Sequence, residues 1–487
     1  MRSDPQPNTT AAGELGVVLR DLDYSESAIS ELLDDDAYAG EAEDLPVYAR
    51  RLPDTRLATV IRALFLGLPV PEREAVRALG RRGVNALEAT GLAEVGSDVV
   101  PRARVLPVDE LLVAADGSSR GADDPPDYVA AYSPASHVCA SLTPRRRVER
   151  ALDVGTGSGA QALLAASHAG HVVATDVNPR ALAYTQLNAA LNGLTNVECR
   201  LGSLFEPVAG ERFELITCNA PYVISPERRW AYRDAGHQGD GVSELVVGEA
   251  ASHLAEGGFA TLLVSWLARD EDEPDERVLE WAERTGCDSW ILVAWETDAL
   301  GHAAGWNSHL ADDPDAFGAA LDEWLGYFDR LGVGWVSEGA VVLHRRPGGR
   351  QTARADSFDD ELLEDAGEQI ERAFEARARL SELRTSADLL EARLSVVAAL
   401  RLEQDVEPEH GVTAARISLD EGTYSTVETT GPVLAIVSSL DGRPSLGAAV
   451  EAVAERLGLS ETDASKLRRE ALRVSRELLE LGALRFL

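Results

Sequence analysis

Lysine occurs once in this chain, at Lys466, methionine once and cysteine four times. The cysteines, Cys139, Cys199, Cys218 and Cys287, are far apart and form no C-x-x-C pair. That spacing excludes a disulfide framework and a thiolate zinc site, so no metal is expected, and it suits a reducing cytoplasmic compartment. No apolar run approaches the roughly 20 residues needed to span a bilayer, so no membrane association is expected. Residues 1–14 have no apolar signal-like segment and are expected to be a disordered leader.

Acidic charge, by contrast, is abundant. The 82 acids against 46 bases leave a formal net charge of −36. Such a chain is repelled by nucleic acid and anionic membranes except where it concentrates positive charge locally. Residues 49–104 are one such place, with ten arginines against six acids.

At 487 residues, several domains are expected. Residues 15–110 read as short helices stopped by Pro69, Pro71, Gly80 and Gly91, then a hairpin turning near Gly96-Ser97. That order predicts a winged-helix-like unit. Residues 120–347 alternate strand-like runs, such as RALDVG, HVVATDV and FELITCNAP, with helical stretches. The alternation predicts an α/β fold with a doubly wound, mostly parallel sheet. A helical insert near 313–331 precedes the last strand. Residues 352–410, with sixteen acids and seven arginines, predict a solvated helical connector. Residues 411–487 open on an edge strand and predict a second winged-helix-like unit.

The chemistry concentrates in the central region. Its first strand runs into Asp153-Val-Gly155-Thr156-Gly157-Ser158-Gly159, where alternate glycines allow a sharp turn into a helix and close approach of a ligand to the backbone. The spacing differs from the dinucleotide fingerprint, and no phosphate-loop lysine follows. Asp176 ends the next strand, 21 positions after Gly155, where an acid can accept hydrogen bonds from both ribose hydroxyls. These features predict a nucleoside ligand without a pyrophosphate, and S-adenosylmethionine fits.

ALDVGTGSGAQALL, ATDVNPRAL and CNAPYVISP together resemble motifs I, II and IV of class I methyltransferases. The run is most similar to the family of HemK-type (PrmC-like) glutamine methyltransferases and NPPY nucleobase methyltransferases. Tyr132-Ser-Pro134-Ala135-Ser136 resembles the Y-x-P-A segment of HemK relatives, which lies over the cofactor. The likeness covers roughly residues 125–265. It implies a Rossmann-like domain holding S-adenosylmethionine through Tyr132, Pro134, Ala135, Asp153, Gly155, Thr156, Gly157, Ser158, Gly159, Asp176, Val177, Asn178, Ser203, Leu204 and Asn219.

It further implies that Asn219, Ala220, Pro221 and Tyr222 act on a planar NH2 group. Here the Asn219 amide oxygen and the Ala220 carbonyl each accept one hydrogen, and Tyr222 stacks on the target. Two departures stand out: Gly202-Ser203-Leu204 replaces an acid that often meets adenine, and Ala220 replaces a proline. The Gly236–Gly241 loop, with His237, resembles a segment framing the substrate pocket, and Trp306, Asn307 and His309 are candidates for a lid.

Three functions fit this pattern. The first is methylation of a glutamine amide in a protein partner such as a translation factor. The others are methylation of an exocyclic amine in RNA or DNA, and a non-catalytic binding module that keeps the cofactor fold.

Overall fold

The computed structural model describes residues 5–33, 44–117, 125–219, 221–226, 238–269, 273–348, 351–358, 363, 366–407 and 411–487. Ala220, Gly236 and His237 lie outside the described residues.

The N-terminal unit comprises helices α1 (Thr9–Asp21), α2 (Glu26–Leu33), α3 (Leu45–Arg51), α4 (Arg56–Val60) and α5 (Glu72–Ala89). Strands β1 (Val70–Pro71), β2 (Ala93–Val95) and β3 (Asp98–Pro101) form a small antiparallel sheet ordered β1-β3-β2. A hairpin of β4 (Arg104–Val108) and β5 (Leu111–Ala115) follows. α4 runs on as a π-helix over Ile61–Phe65. α5 breaks at Gly80, whose φ of 70° and ψ of 167° separate two helical pieces at the expected stop. The expected leader is helical from Thr9, because Asn8 accepts from the Ala11 amide and Ala12 and Leu15 are buried. Its apolar positions lie on one helix face, which an absent signal segment does not rule out.

The central unit contains α6 (Pro134–Ser141), β6 (Val148–Val154), α7 (Ala160–Ala166), β7 (Ala169–Asp176), α8 (Pro179–Leu191), β8 (Val197–Leu201) and β9 (Phe213–Cys218). It continues through α9 (Gly241–His253), β10 (Leu254–Ala268), α10 (Glu276–Arg284), β11 (Asp288–Asp298), α11 (Ala299–Trp306), α12 (Pro314–Leu331), β12 (Trp335–His344) and β13 (Ala353–Ser357). Eight strands form one sheet ordered β13-β11-β12-β10-β9-β6-β7-β8, in which only β12 runs antiparallel to its neighbours. The expected mostly parallel sheet is present. Alternate strand residues feed its two faces. Leu152, Val154, Ile216, Leu262 and Val341 pack under α9 and α10, whereas Ala151, Val172, Leu215, Trp290 and Val342 pack beneath α6 and the C-terminal helices.

The C-terminal unit holds α13 (Gly367–Glu382), α14 (Ser386–Glu391), β14 (Arg393–Val396), β15 (Leu400–Glu407), β16 (Gly411–Leu419), β17 (Thr426–Thr429), α15 (Gly431–Val437), β18 (Asp441–Ser445), α16 (Leu446–Leu457), α17 (Glu461–Glu480) and β19 (Leu484–Phe486). Its sheets are ordered β18-β14-β19 and β15-β16-β17. Two expectations are corrected here. The expected solvated connector is largely packed: β13 joins the main sheet beside β11, and α13 buries Ile370, Ala373, Phe374 and Leu380. Its acids occupy the opposite face, so the charge count concealed an apolar stripe. The strand expected at an edge, β16, lies between β15 and β17.

Candidate active site

The strand order reverses between β6 and β9, and open α/β sheets place ligands at the carboxyl ends of strands at such a switch point. At that end β6 leaves the sheet through three glycines with φ of 67°, 56° and 90° at Gly155, Gly157 and Gly159. Gly159 has a second constraint: a Cβ there would stand 2.9 Å from the Thr185 side chain, so α8 approaches as closely as it does only without one. Thr185 and Asn188 of α8 hold the turn by donating to the carbonyls of Gly157 (3.2 Å) and Ser158 (2.8 Å).

Asp153 is the internal strut. Its carboxylate accepts from Thr156 Oγ1 (2.6 Å), the Ala162 amide (3.2 Å) and Thr217 Oγ1 (2.9 Å), joining turn, helix α7 and strand β9. Burial outweighs those donors and pushes its pKa up to about 6. Asp176 ends β7 and accepts from the Gly157 amide (2.9 Å) and the Asn178 amide (2.8 Å). Burial raises its pKa as well. Beside it, Leu204 has a φ of 46°, and its carbonyl accepts from Thr175 Oγ1 at 3.0 Å.

β9 delivers Asn219 to the same edge. Asn219 Nδ2 donates to Ser136 Oγ at a long 3.4 Å, and no partner for its Oδ1 is found among the described residues. Ser265 Oγ donates to the Tyr222 carbonyl, tying the following segment to β10. The Gln161 amide bridges to the Ser136 carbonyl at 2.7 Å, drawing α6 over the turn.

These residues surround one cavity of about 530 Å³. It brings together Ala135, Asp153, Gly155, Thr156, Gly157, Ser158, Asp176, Val177, Asn178, Ser203, Leu204, Asn219, Pro221 and Tyr222. Three residues of the expected set do not line it. Tyr132 packs against the N-terminal core, Pro134 occupies the first turn of α6, and Gly159 lies behind the turn against α8. Ala220 is outside the described residues.

Of the expected lid residues, Trp306 lines the cavity, Asn307 is buried with Nδ2 on the Ala303 carbonyl, and His309 is exposed. Asp240 of the glycine-bearing loop faces inward, held by Arg277 and by the Leu267 amide (3.1 Å). Sequence reasoning missed Tyr128, Ala181, Val223 and Val242, which come from four separate segments; Ala181 and Val223 stand inside the quoted motif runs, but nothing local singles them out.

Residues 146–270 match a family model described as a methyltransferase domain. The central unit is a methyltransferase domain. Residues 21–104 match a second model, a domain of unknown function (DUF7059). A release factor glutamine methyltransferase of Deinococcus radiodurans is 41% identical over 136 residues, covering 25% of this chain and 48% of that protein. A ribosomal protein uL3 glutamine methyltransferase of Bradyrhizobium diazoefficiens is 36% identical over 167 residues, covering 30% and 51%. The chain thus spans about half the length of the curated relatives it matches. A solved methyltransferase from Pyrococcus furiosus is similar at 18% identity and a TM-score of 0.29, covering 48% of this chain and 90% of that one.

The cavity of the methyltransferase domain suits S-adenosylmethionine. Two carboxylates, Asp153 and Asp176, line it, with no arginine or lysine among the described lining residues. That charge pattern favours a cationic sulfonium nucleoside and disfavours a phosphate-bearing one. Asp176 lines it from the tip of β7.

Proposed function

We propose that the chain transfers a methyl group from S-adenosylmethionine to the side-chain amide nitrogen of a glutamine in a polypeptide. The observation that carries this reading is that Asn219, whose Oδ1 has no partner among the described residues, shares one cavity with the glycine turn and Asp176. The glutamine methyltransferases of Deinococcus radiodurans and Bradyrhizobium diazoefficiens, whose names specify a release factor and a ribosomal protein, support the choice of amide.

When bound, S-adenosylmethionine supplies an electrophilic methyl group on a cationic sulfur. Asn219 Oδ1 accepts one amide hydrogen, which turns the nitrogen toward the glycine turn. Accepting that hydrogen also stabilises the positive charge that develops on nitrogen, which is discharged as one N–H proton leaves to solvent. Tyr222 stacks on the amide plane. Alignment of this kind supplies up to about 7–11 kcal/mol of barrier lowering in well-oriented reactions.

We read the two flanking units as winged-helix-like and as aids to docking the macromolecule. A nucleic-acid substrate is less favoured. The arginines of 49–104 are engaged within the unit: Arg77 with Asp54, Arg81 with Glu72, Arg82 with Glu14, Arg102 with Glu94, and Arg56, Arg62 and Arg104 with backbone carbonyls.

Methyl-labelled S-adenosylmethionine, incubated with the chain and a cell extract and then treated with protease or nuclease, tests the reading. Label released by protease and recovered as a methylated glutamine is expected. Label released only by nuclease would replace the amide with a base amine, and no incorporation would point to a binding module.

A further inference from the structure

One wall of the cavity comes from the insert between β11 and β12. Trp306 ends α11 and lines the cavity together with Asn219 and Tyr222. Its indole N–H donates to Glu338 Oε1 of β12 at 3.3 Å. α11 is also tied to the segment that follows residues 219–222. His302 is fully buried, and its Nε2 donates to the Ile224 carbonyl at 3.1 Å. A carbonyl can only accept, so Nε2 carries the proton and Nδ1 is bare. Nδ1 lies 3.6 Å from Glu338 Oε1 with no hydrogen bond. Burial holds the His302 pKa down to about 4, so the ring is neutral. Trp324 and Phe328 of α12 pack their rings against it, with centroids 5.7 Å away in each case. The insert is therefore a braced wall.

Exposed apolar side chains lie next to the segment that carries Trp306. A Cβ built on Gly305, beside Trp306, would stand 3.7 Å from Cη2 of Trp295. Trp295 is itself 50% exposed, and Leu300 of α11 is 49% exposed. The charge on the end of β11 and on the insert is almost all acidic. Glu296, Asp298, Asp315, Asp322, Glu323 and Asp329 are exposed, and Arg330 is the one arginine or lysine between positions 296 and 331. Among the described residues, Asp315, Asp322, Glu323 and Asp329 make no ion pair.

We infer that Trp295, Leu300 and the acidic insert form a docking surface for a cationic polypeptide segment, arginine- or lysine-bearing, that flanks the acceptor amide. The inference rests on the proposed transfer to a polypeptide and adds the chemistry of the partner. Aromatic rings supply contact area for the stem of an arginine or lysine, and the acids select its charge. A polynucleotide is repelled by the same surface.

The test uses the full chain saturated with S-adenosylhomocysteine. The probe is a short fluorescein-labelled synthetic peptide with a central glutamine flanked by arginines, and binding is read by anisotropy at physiological salt. Trp295→Ala, and separately Asp315→Asn with Asp322→Asn and Glu323→Gln, should each weaken binding roughly fivefold. A control with as many charges removed elsewhere, Glu451→Gln, Glu455→Gln and Glu461→Gln, should stay within about twofold. S-adenosylhomocysteine affinity should be the same in all variants. Absence of peptide binding to the wild type, an equal loss in the control, or a single-stranded RNA oligomer binding as tightly as the peptide would overturn the docking surface. A peptide that binds in the expected pattern yet takes no label from S-adenosylmethionine counts against the proposed transfer and supports the docking surface alone.

Discussion

Asn219 and Asp176 face one cavity from opposite strands, and their substitution should separate turnover from binding. Asn219→Ala should lower turnover by roughly 10²-fold or more, as loss of a group that stabilises charge in the transition state does elsewhere. Its affinity for S-adenosylhomocysteine in isothermal titration should be unchanged. Asp176→Ala should weaken that affinity, because it removes the proposed ribose acceptor and also the groups on which the Gly157 and Asn178 amides rest. Asp153 gives a pH signature. Its carboxyl is lifted from 3.8 to about 6 by burial, so the folded chain holds that proton more tightly than the unfolded one. Its contribution to stability is therefore full below about pH 4 and is lost as the pH rises through about 6. The unfolding free energy of the wild type, measured relative to Asp153→Asn, should fall across that window; a flat difference would contradict the assignment.

At the scale of elements, the closest junction joins the N-terminal unit to the methyltransferase domain. A Cβ on Gly16 of α1 would lie 1.9 Å from the Leu191 carbonyl of α8, and Arg20 donates to the same carbonyl at 3.2 Å. Asn188 of α8 and Asn192, just past its end, make paired bonds to the backbone of Ala114 and Leu112 in β5. Gly16→Ala should force the two helices apart and cost about 1–3 kcal/mol in denaturant unfolding, the usual penalty for overpacking. The glycine turn, the Asp176 strand tip and the sheet were legible in the sequence because periodicity and spacing are local. Ser136, Gln161 and Trp306 reach the same cavity from α6, α7 and the insert, and their proximity depends on tertiary packing. Gln161 and Ser136 stood inside quoted motifs, but their mutual hydrogen bond had no local signal. The α13 stripe was missed for a related reason: Ile370, Ala373 and Phe374 are sparse among acids, and only the partner face of β11 and β12 shows what they cover.

For the whole molecule, the three units share cores and are not beads on a linker. The C-terminal core includes Phe259, Trp290 and Val342 of the main sheet, and the Arg377 guanidinium lies 4.1 Å above the Trp290 ring. Arg354 of β13 pairs with Glu477 and Glu480 of α17. Removal of residues 352–487 should therefore uncover an apolar sheet face, lower the Tm of the remaining chain and promote association in size-exclusion chromatography; an unchanged Tm would show that the units are independent. Net charge of −36 and the acidic insert agree with a cationic protein partner at this scale. The most direct measurement is a crystal structure with S-adenosylhomocysteine bound. The account predicts the adenosine between the glycine turn and Asp176, with the sulfur directed toward Asn219 Oδ1 across a gap that admits one NH2 group. A nucleoside seated elsewhere, or a sulfur turned away from residues 219–222, would contradict it.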